Sequence, residues 1–446
     1  MAIIPDLLHR LIRPFARSFT RPTFTRFTTL LAGAVLTTGR RTVSNLLRTL
    51  RGLAPGHPSS YHRVFSRRRW SLWPLARALA GITLRRFAPG EPVPLAGDDT
   101  VDEHRGATVY GKGRHRDPVR STKSYTAWRW GHKWVVLAAL VKFPFATRPW
   151  ALPVLVALYR TPRWDREHSR RHKTPARLLR QLAAALLHWS PGRRFLLAGD
   201  GGYGSHETAA FAHRHRRRLT LISRFGPKAN LFEPPPPYGG KGRPRVKGAE
   251  LPAPQEAVAA TALTKLEVSW YGGGRREVEV TSGTGQWYKS GEGLAPVRWV
   301  FVRDRTGTHR DDYFFSTDEG MEPRAVIDRF TGRWSIETTF QEMRAYAGLE
   351  TTRGRREATV LRAAPCLFGL FSVVALLYER LRARGRATAG VMWAGKSEAT
   401  YSDAITTVRR WLWVDWVFAN HGQGDAFSKL PRPLRETLLS ALAPAA

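Results

Sequence analysis

Along the first 85 residues the apolar positions recur at helical spacing between arginines. Thr42 is placed to cap a helix running through Arg51, with Val43, Leu46, Leu47 and Leu50 on one face. After the Pro/Gly break at Ala54–Pro58, Ser59 or Ser60 is placed to cap a second helix carrying Arg63, Arg67, Arg68 and Arg69. From about residue 90 the pattern shortens to strand-like runs: Val93–Val101, Ala107–Tyr110 and the strongly apolar Lys133–Phe143. Thr174–His188 returns to helical spacing. Arg194–Ala198 is a short apolar strand ending in Gly-Asp-Gly-Gly, Glu207–Arg217 reads as a helix and Leu219–Ser223 as a strand. Between Phe225 and Pro254, including Pro234–Pro237, the chain turns Pro/Gly/Lys-rich, as a linker or exposed loop does. Lys265–Tyr271 and Arg276–Thr281 flank Gly272–Gly274 as a hairpin, Val297–Arg303 and Asp312–Ser316 follow as strands, and helical texture resumes at Pro323.

The predicted fold class is therefore α/β, with helical N- and C-terminal regions around a mixed core. The boundaries read are 1–88 for a helical basic region, 89–225 for the first part of the core, and 226–320 for a linker and β-rich insertion. The second part of the core spans 321–385 and a helical C-terminal region 386–446. Two apolar stretches bear on membranes. Trp134–Tyr159 is broken by Lys142, Arg148 and prolines into two buried strands, and Ala364–Tyr378 is shorter than the roughly 20 residues a bilayer span needs. No membrane association is expected, and Leu30–Leu36 is too short and too late to act as a signal sequence.

Charge changes the picture most. Over 446 residues, 72 Lys and Arg against 35 Asp and Glu leave a net charge of +37, spread along nearly the whole chain. Such an excess fits an extended polyanion better than a small acidic ligand. The two N-terminal helices, the second rich in arginine, are similar in pattern to a helix-turn-helix reader of DNA. Cys366 is the only cysteine, which rules out a disulfide within the chain and fits a reducing compartment.

In a chain short of acids, three acidic positions stand out: Asp98-Asp99-Thr100 at the end of an apolar strand, Asp200 at the strand-to-glycine junction, and Glu337 in Arg333-Trp-Ser-Ile-Glu337-Thr-Thr-Phe-Gln-Glu-Met-Arg344. At about 100° per residue, Phe330, Arg333, Glu337 and Arg344 fall within roughly 60° of one another on a helix. Ile336, Phe340 and Met343 form the adjacent apolar stripe. Carboxylates hold divalent metals and arginines hold phosphate oxygens, the two needs of a phosphodiester site. By contrast His168/His172 and His213/His215 lie in basic runs and read as solvated faces. Gly272–Gly274 lacks the Lys-Ser/Thr of a P-loop.

These elements resemble the DDE superfamily of bacterial insertion-sequence transposases with an RNase H-like core, and within it the branch with a Tyr-x2-Arg-x3-Glu-x6-Lys signature. Phe330-x2-Arg333-x3-Glu337-x6-Arg344 keeps that spacing, with Phe for Tyr and Arg for Lys; Asp98-Asp99-Thr100 resembles the Asp-x-Thr element and Asp200-Gly-Gly-Tyr203 the Asp-x-x-Tyr element. The resemblance implies an RNase H-like mixed sheet carrying Asp98, Asp200 and Glu337 as catalytic residues. It implies two Mg²⁺ ions, replaceable by Mn²⁺, held by these residues with Asp98 or Asp99 as the first ligand and Asp98 favoured. DNA contacts are implied for Arg333, Arg344, Phe330 and Tyr203, and are expected also of Arg63, Arg67, Arg68 and Arg69. Trp287 and Trp299 are candidates for stacking on an unpaired base. The implied activity is cut-and-paste transposition by a Mg-dependent DNA endonuclease and strand transferase, in some relatives through a hairpin. Its partners would be double-stranded DNA, transposon ends and target DNA, bound by a homodimer in the bacterial cytoplasm at the nucleoid. A non-catalytic DNA-binding protein, such as a repressor or a decayed transposase, and a nuclease with the same core are the alternative readings.

Overall fold

The computed structural model describes residues 4–117, 120–122, 124–240, 242–387, 396 and 398–444. Of the C-terminal region expected at 386–446, positions 388–395, 397 and 445–446 lie outside the described residues.

Five α-helices form the basic head: α1 (Asp6–Ile12), α2 (Arg21–Leu36), α3 (Val43–Leu50), α4 (Pro58–Ser66) and α5 (Leu72–Leu84). Thr42 caps α3, its side chain accepting from Asn45 N at 3.3 Å. The cap of α4 is not Ser59 or Ser60 but His57, whose Nδ1 accepts from Ser59 N, because Pro58 occupies the first turn where no N–H is needed. Only Arg63 lies within α4. Arg67 is its C-terminal cap and Arg68 and Arg69 follow it.

The core strands are β1 (Val93–Glu103), β2 (Gly113–Arg116), β3 (Trp128–Val141), β4 (Trp150–Tyr159), β5 (Phe195–Gly199) and β6 (Leu219–Arg224). Between β4 and β6 lie α6 (Pro162–Glu167), α7 (Pro175–Trp189) and α8 (His206–Arg214). β1 pairs antiparallel with β3 and β3 antiparallel with β4, while β5 runs parallel to both β1 and β6. The order β4-β3-β1-β5-β6 is the mixed RNase H-like arrangement that the family resemblance implies. The strand expected at Ala107–Tyr110 is a loop; β2 forms instead at Gly113–Arg116, where alternate side chains face the core.

The region after β6 joins this sheet instead of standing apart from it. It contains β7 (Leu231–Phe232), α9 (Pro254–Ala259), β8 (Thr264–Ser269), β9 (Arg275–Lys289), β10 (Gly293–Asp304) and β11 (Asp312–Ser316). β11 pairs with β6 and carries β10 and β9 outward, giving one eleven-stranded mixed sheet. Trp299 is 5% exposed and Trp287 packs against Phe225 and Phe315. Trp299 is a core residue, and the half-buried Trp287 is held by Phe225, Phe315 and His206, so neither ring stands free for base stacking.

The C-terminal helices are α10 (Pro323–Gly332), α11 (Ser335–Glu342), α12 (Glu357–Arg382), α13 (Tyr401–Leu412), α14 (Gly424–Lys429) and α15 (Arg432–Leu442). At 26 residues α12 extends past the run read from the sequence and is long and apolar enough to cross a bilayer. Here it is a core helix: 72% of its apolar window is buried, and Ser372 in its middle donates to the Pro153 carbonyl of β4 at 2.8 Å.

Candidate active site

Strand register brings the first two acids together. Gly97 of β1 pairs with Gly199, the last residue of the parallel β5. Asp98 and Asp200 are the next residues on two strands about 4.8 Å apart. Gly97 faces α7, where a Cβ would come within 2.6 Å of Leu179 Cδ2. Side chains alternate along a strand, so Asp98 faces the other side.

That alternation separates the two neighbours. Asp99 points with Gly97: its carboxylate accepts from Tyr203 OH at 3.0 Å and pairs with Lys133 Nζ at 2.9 Å. Asp99, considered as a metal ligand, is corrected to a buttress on the opposite face of the sheet from the other acids. Tyr203, expected at the DNA, is 2% exposed, and burial together with the Asp99 charge pushes its hydroxyl well above the ordinary range. It is a neutral donor that fixes Asp99.

The third acid arrives on α11, which lies over the Asp98 face. Thr339 donates to the Ala151 carbonyl of β4 at 2.9 Å, and Ile336, Phe340 and Met343 are buried, as the apolar stripe predicts. The single helix expected through Phe330, Arg333, Glu337 and Arg344 is broken. After Gly332 the backbone closes i→i−3 bonds (Arg333 N to Phe330 O, Glu337 N to Trp334 O), a tighter turn than an α-helix that separates α10 from α11. Phe330, on α10, is fully buried and stacked on Phe314 at 4.3 Å. It is a core residue and not a DNA contact.

At the break sits Arg333. Its Nη1 binds Asp98 Oδ2, and its Nη2 lies 3.2 Å from Glu337 Oε1 and 3.5 Å from Asp200 Oδ1. One guanidinium thus gathers all three acids. Burial opposes its charge, but Asp98, Asp200 and Glu337 outweigh that and raise its pKa. At 4% exposure, beneath the acids, it is not the open phosphate clamp expected of it. Asp98 has the least water: burial pushes its carboxyl up to about 7 despite Arg333, with Asp99 and Asp200 adding to the rise. The other two are more open, at 44% side-chain exposure for Asp200 and 41% for Glu337.

Arg344 is likewise committed. It donates to Thr100 Oγ1 and to the Val101 carbonyl, and its Nε pairs with Glu350 at 3.1 Å. It ties the end of α11 to β1 instead of facing a phosphate. Arg63, Arg67, Arg68 and Arg69 are all exposed, as a DNA-contacting face requires. His172 pairs with Asp165 and His168 stacks on Trp164, so neither belongs to this centre.

Beside the acids opens a cleft of about 650 Å³, reached by Asp200, Glu337 and Arg333 and walled by Arg224, Arg310 and His309. Three carboxylates around one point form an all-oxygen donor set, suited to a hard divalent cation such as Mg²⁺. The guanidinium occupies the place where charge must be neutralised.

A family model described as "DDE superfamily endonuclease" matches residues 14–277, more than half of the chain. The chain belongs to that family. In this DDE-family chain the match takes in Asp98 and Asp200 and stops before Glu337, whose assignment rests on the geometry above. No curated protein matches the chain. Among solved structures, a piggyBac transposase synaptic complex with hairpin DNA aligns with 96% of this chain and 77% of its own, at 11% identity and a TM-score of 0.40.

Two features of the site escaped the sequence pattern. One is the central place of Arg333. The other is Lys133, which neutralises Asp99 from across the sheet and is legible only once the β1–β3 register is known.

Proposed function

We propose that this chain is a DNA transposase that cuts phosphodiester bonds at the ends of its own element and joins the freed ends to target DNA, with Asp98, Asp200 and Glu337 as its catalytic carboxylates. The observation that carries this reading is their convergence, from β1, the end of β5 and α11, on a single point at the mouth of a basic cleft.

Asp98, Asp200 and Glu337 would hold the divalent cations, Mg²⁺ or Mn²⁺, which when bound activate the attacking oxygen and stabilise the leaving one. Arg333 neutralises the carboxylates before substrate arrives, so that they can lie together without mutual repulsion. Tyr203 and Lys133 hold Asp99, and through it the backbone of β1, in register. Arg224 and Arg310 line the cleft where the charged backbone of DNA would lie. In the reaction a water oxygen attacks the phosphorus and releases a 3′-hydroxyl. That hydroxyl then attacks a second phosphodiester, breaking one P–O bond for each one formed. The exposed arginines Arg63, Arg67, Arg68 and Arg69, with the net charge of +37, provide for double-stranded DNA. Joining two ends calls for two copies of the chain.

A cleavage assay with Mg²⁺ on a DNA fragment carrying the element's own ends tests this. Cleavage followed by strand transfer is the expected outcome. Cleavage without joining assigns a nuclease, and binding without cleavage a repressor-like protein. Asp200→Ala and Glu337→Ala variants that cut as fast as the parent would sink the site assignment.

A further inference from the structure

Four residues beyond Asp98 on the same face of β1, about 13 Å along the strand, lies a second cluster that the proposed chemistry does not use. Asp102 faces His132 in the β1–β3 register. His104 follows two residues later, and its N–H continues the ladder by donating to the Trp130 carbonyl at 3.0 Å. Alternation therefore puts all three side chains on one face. One candidate ligand atom from each lies within 4.8 Å of the other two, and Asp102, His104 and His132 are 0%, 5% and 2% exposed.

The hydrogen bonding here is incomplete in a way that points to a ligand. Asp102 Oδ2 lies 3.2 Å from His104 Nε2, but Asp102 Oδ1 is fully buried with no donor among the described residues. A buried carboxylate oxygen left without a partner is costly and rare. His132 is oriented as metal-bound histidines are: its Nε2 lies 2.9 Å from the Tyr110 carbonyl, and donating there fixes the tautomer and leaves Nδ1 with a free lone pair.

We infer that Asp102, His104 and His132 bind a zinc ion that pins the outer end of the β1–β3 pair. Two imidazoles and a carboxylate suit a borderline cation, unlike the all-oxygen catalytic set. Asp102 through one oxygen and the two imidazoles supply three ligands, with water as the fourth, and the widest separation of 4.8 Å has to contract by about 1.5 Å to reach the roughly 3.3 Å edges of a tetrahedral zinc centre. The site is sealed, so the ion enters as the chain folds. It would also anchor the loop leading to β2, beyond which Tyr125, Trp128 and Trp130 stand exposed.

Metal analysis of the full chain tests this without reference to cleavage. After gel filtration in zinc-free buffer containing Mg²⁺, about one zinc per chain is expected in the parent and in Glu337→Gln, and its loss in His104→Gln and His132→Gln. Should those variants not fold, the parent alone decides. Cobalt(II) replacing zinc should give the intense visible bands of a tetrahedral N/O site, and a zinc chelator should lower the parent's Tm. A parent that retains no zinc, gives no such cobalt bands and keeps its Tm in chelator overturns the inference, as does undiminished zinc in both histidine variants. Asp102–His104 would then be a plain buried hydrogen bond.

Discussion

Arg333 is the side chain on which the site turns, because it neutralises three acids that must otherwise repel one another. Replacing it with Gln leaves Asp98 buried with two carboxylates beside it. A loss of about 3 kcal/mol in unfolding free energy is expected in chelator, since breaking a buried ion pair strands the remaining charge. Mg²⁺ should restore part of that stability in Arg333→Gln and add little to the parent. Denaturant titrations with and without Mg²⁺ check this, and equal Mg²⁺ effects in both proteins would refute a shared place for cation and guanidinium. The acids themselves were legible in the sequence as rare carboxylates, although Asp98 lies in the middle of β1 and not at the strand end that the pattern gives it. Which of Asp98 and Asp99 faces the site was not. β1 is covered on both faces, so its polar/apolar alternation is blurred, and the side is fixed by tertiary contacts: Gly97 against Leu179, Asp98 on Arg333, and Asp99 on Tyr203 and Lys133.

At the scale of elements, strands were read more surely than their partners. The pattern located β1, β5, β6 and β11 closely, and missed the first five residues of β3. It misplaced β2, because Ala107–Tyr110 is apolar enough for a strand but has no neighbour to pair with. It also ran one helix through Gly332, where i→i−3 bonds interrupt the α-helix, and Phe330 on the α10 side packs into a separate apolar cluster with Ile222, Val300 and Phe314. Phe330→Ala should accordingly cost about 3–5 kcal/mol in stability while leaving DNA affinity unchanged in a binding titration; a loss of affinity in the folded variant would return Phe330 to the DNA surface. On β2, burial and the nearby Lys133 push His115 down to about 4. The unfolded imidazole takes its proton near 6.5, so the unfolded state binds more protons between those values. Stability should fall as pH drops from about 6.5 to about 4, by an amount of order 2 kcal/mol. His115→Gln should flatten that stretch of the stability–pH curve, and an unaltered slope would mean that His115 is not held neutral.

For the whole molecule, composition points to a polyanion partner but not to where it would lie. The exposed Arg63, Arg67, Arg68 and Arg69 face solvent on the helical head, whereas Arg333 and Arg344, prominent in the sequence signature, are spent within the fold. Changing the four head arginines to Gln should weaken binding to all DNA sequences alike and reduce the slope of log affinity against log salt by up to about 3.6; an unchanged slope would place the DNA on another face. Contacts joining residues 98, 200 and 337 depend on sheet register and on a helix crossing, neither of which local pattern records. The most direct test of the central claim is therefore the rate of Mg²⁺-dependent cleavage of the element's own ends by two neighbouring variants. Asp98→Asn should lose about a thousandfold, the several kcal/mol that a metal-holding carboxylate supplies, and Asp99→Asn should keep its rate within about tenfold. Equal losses in both, or a greater loss in Asp99→Asn, would contradict the site described here.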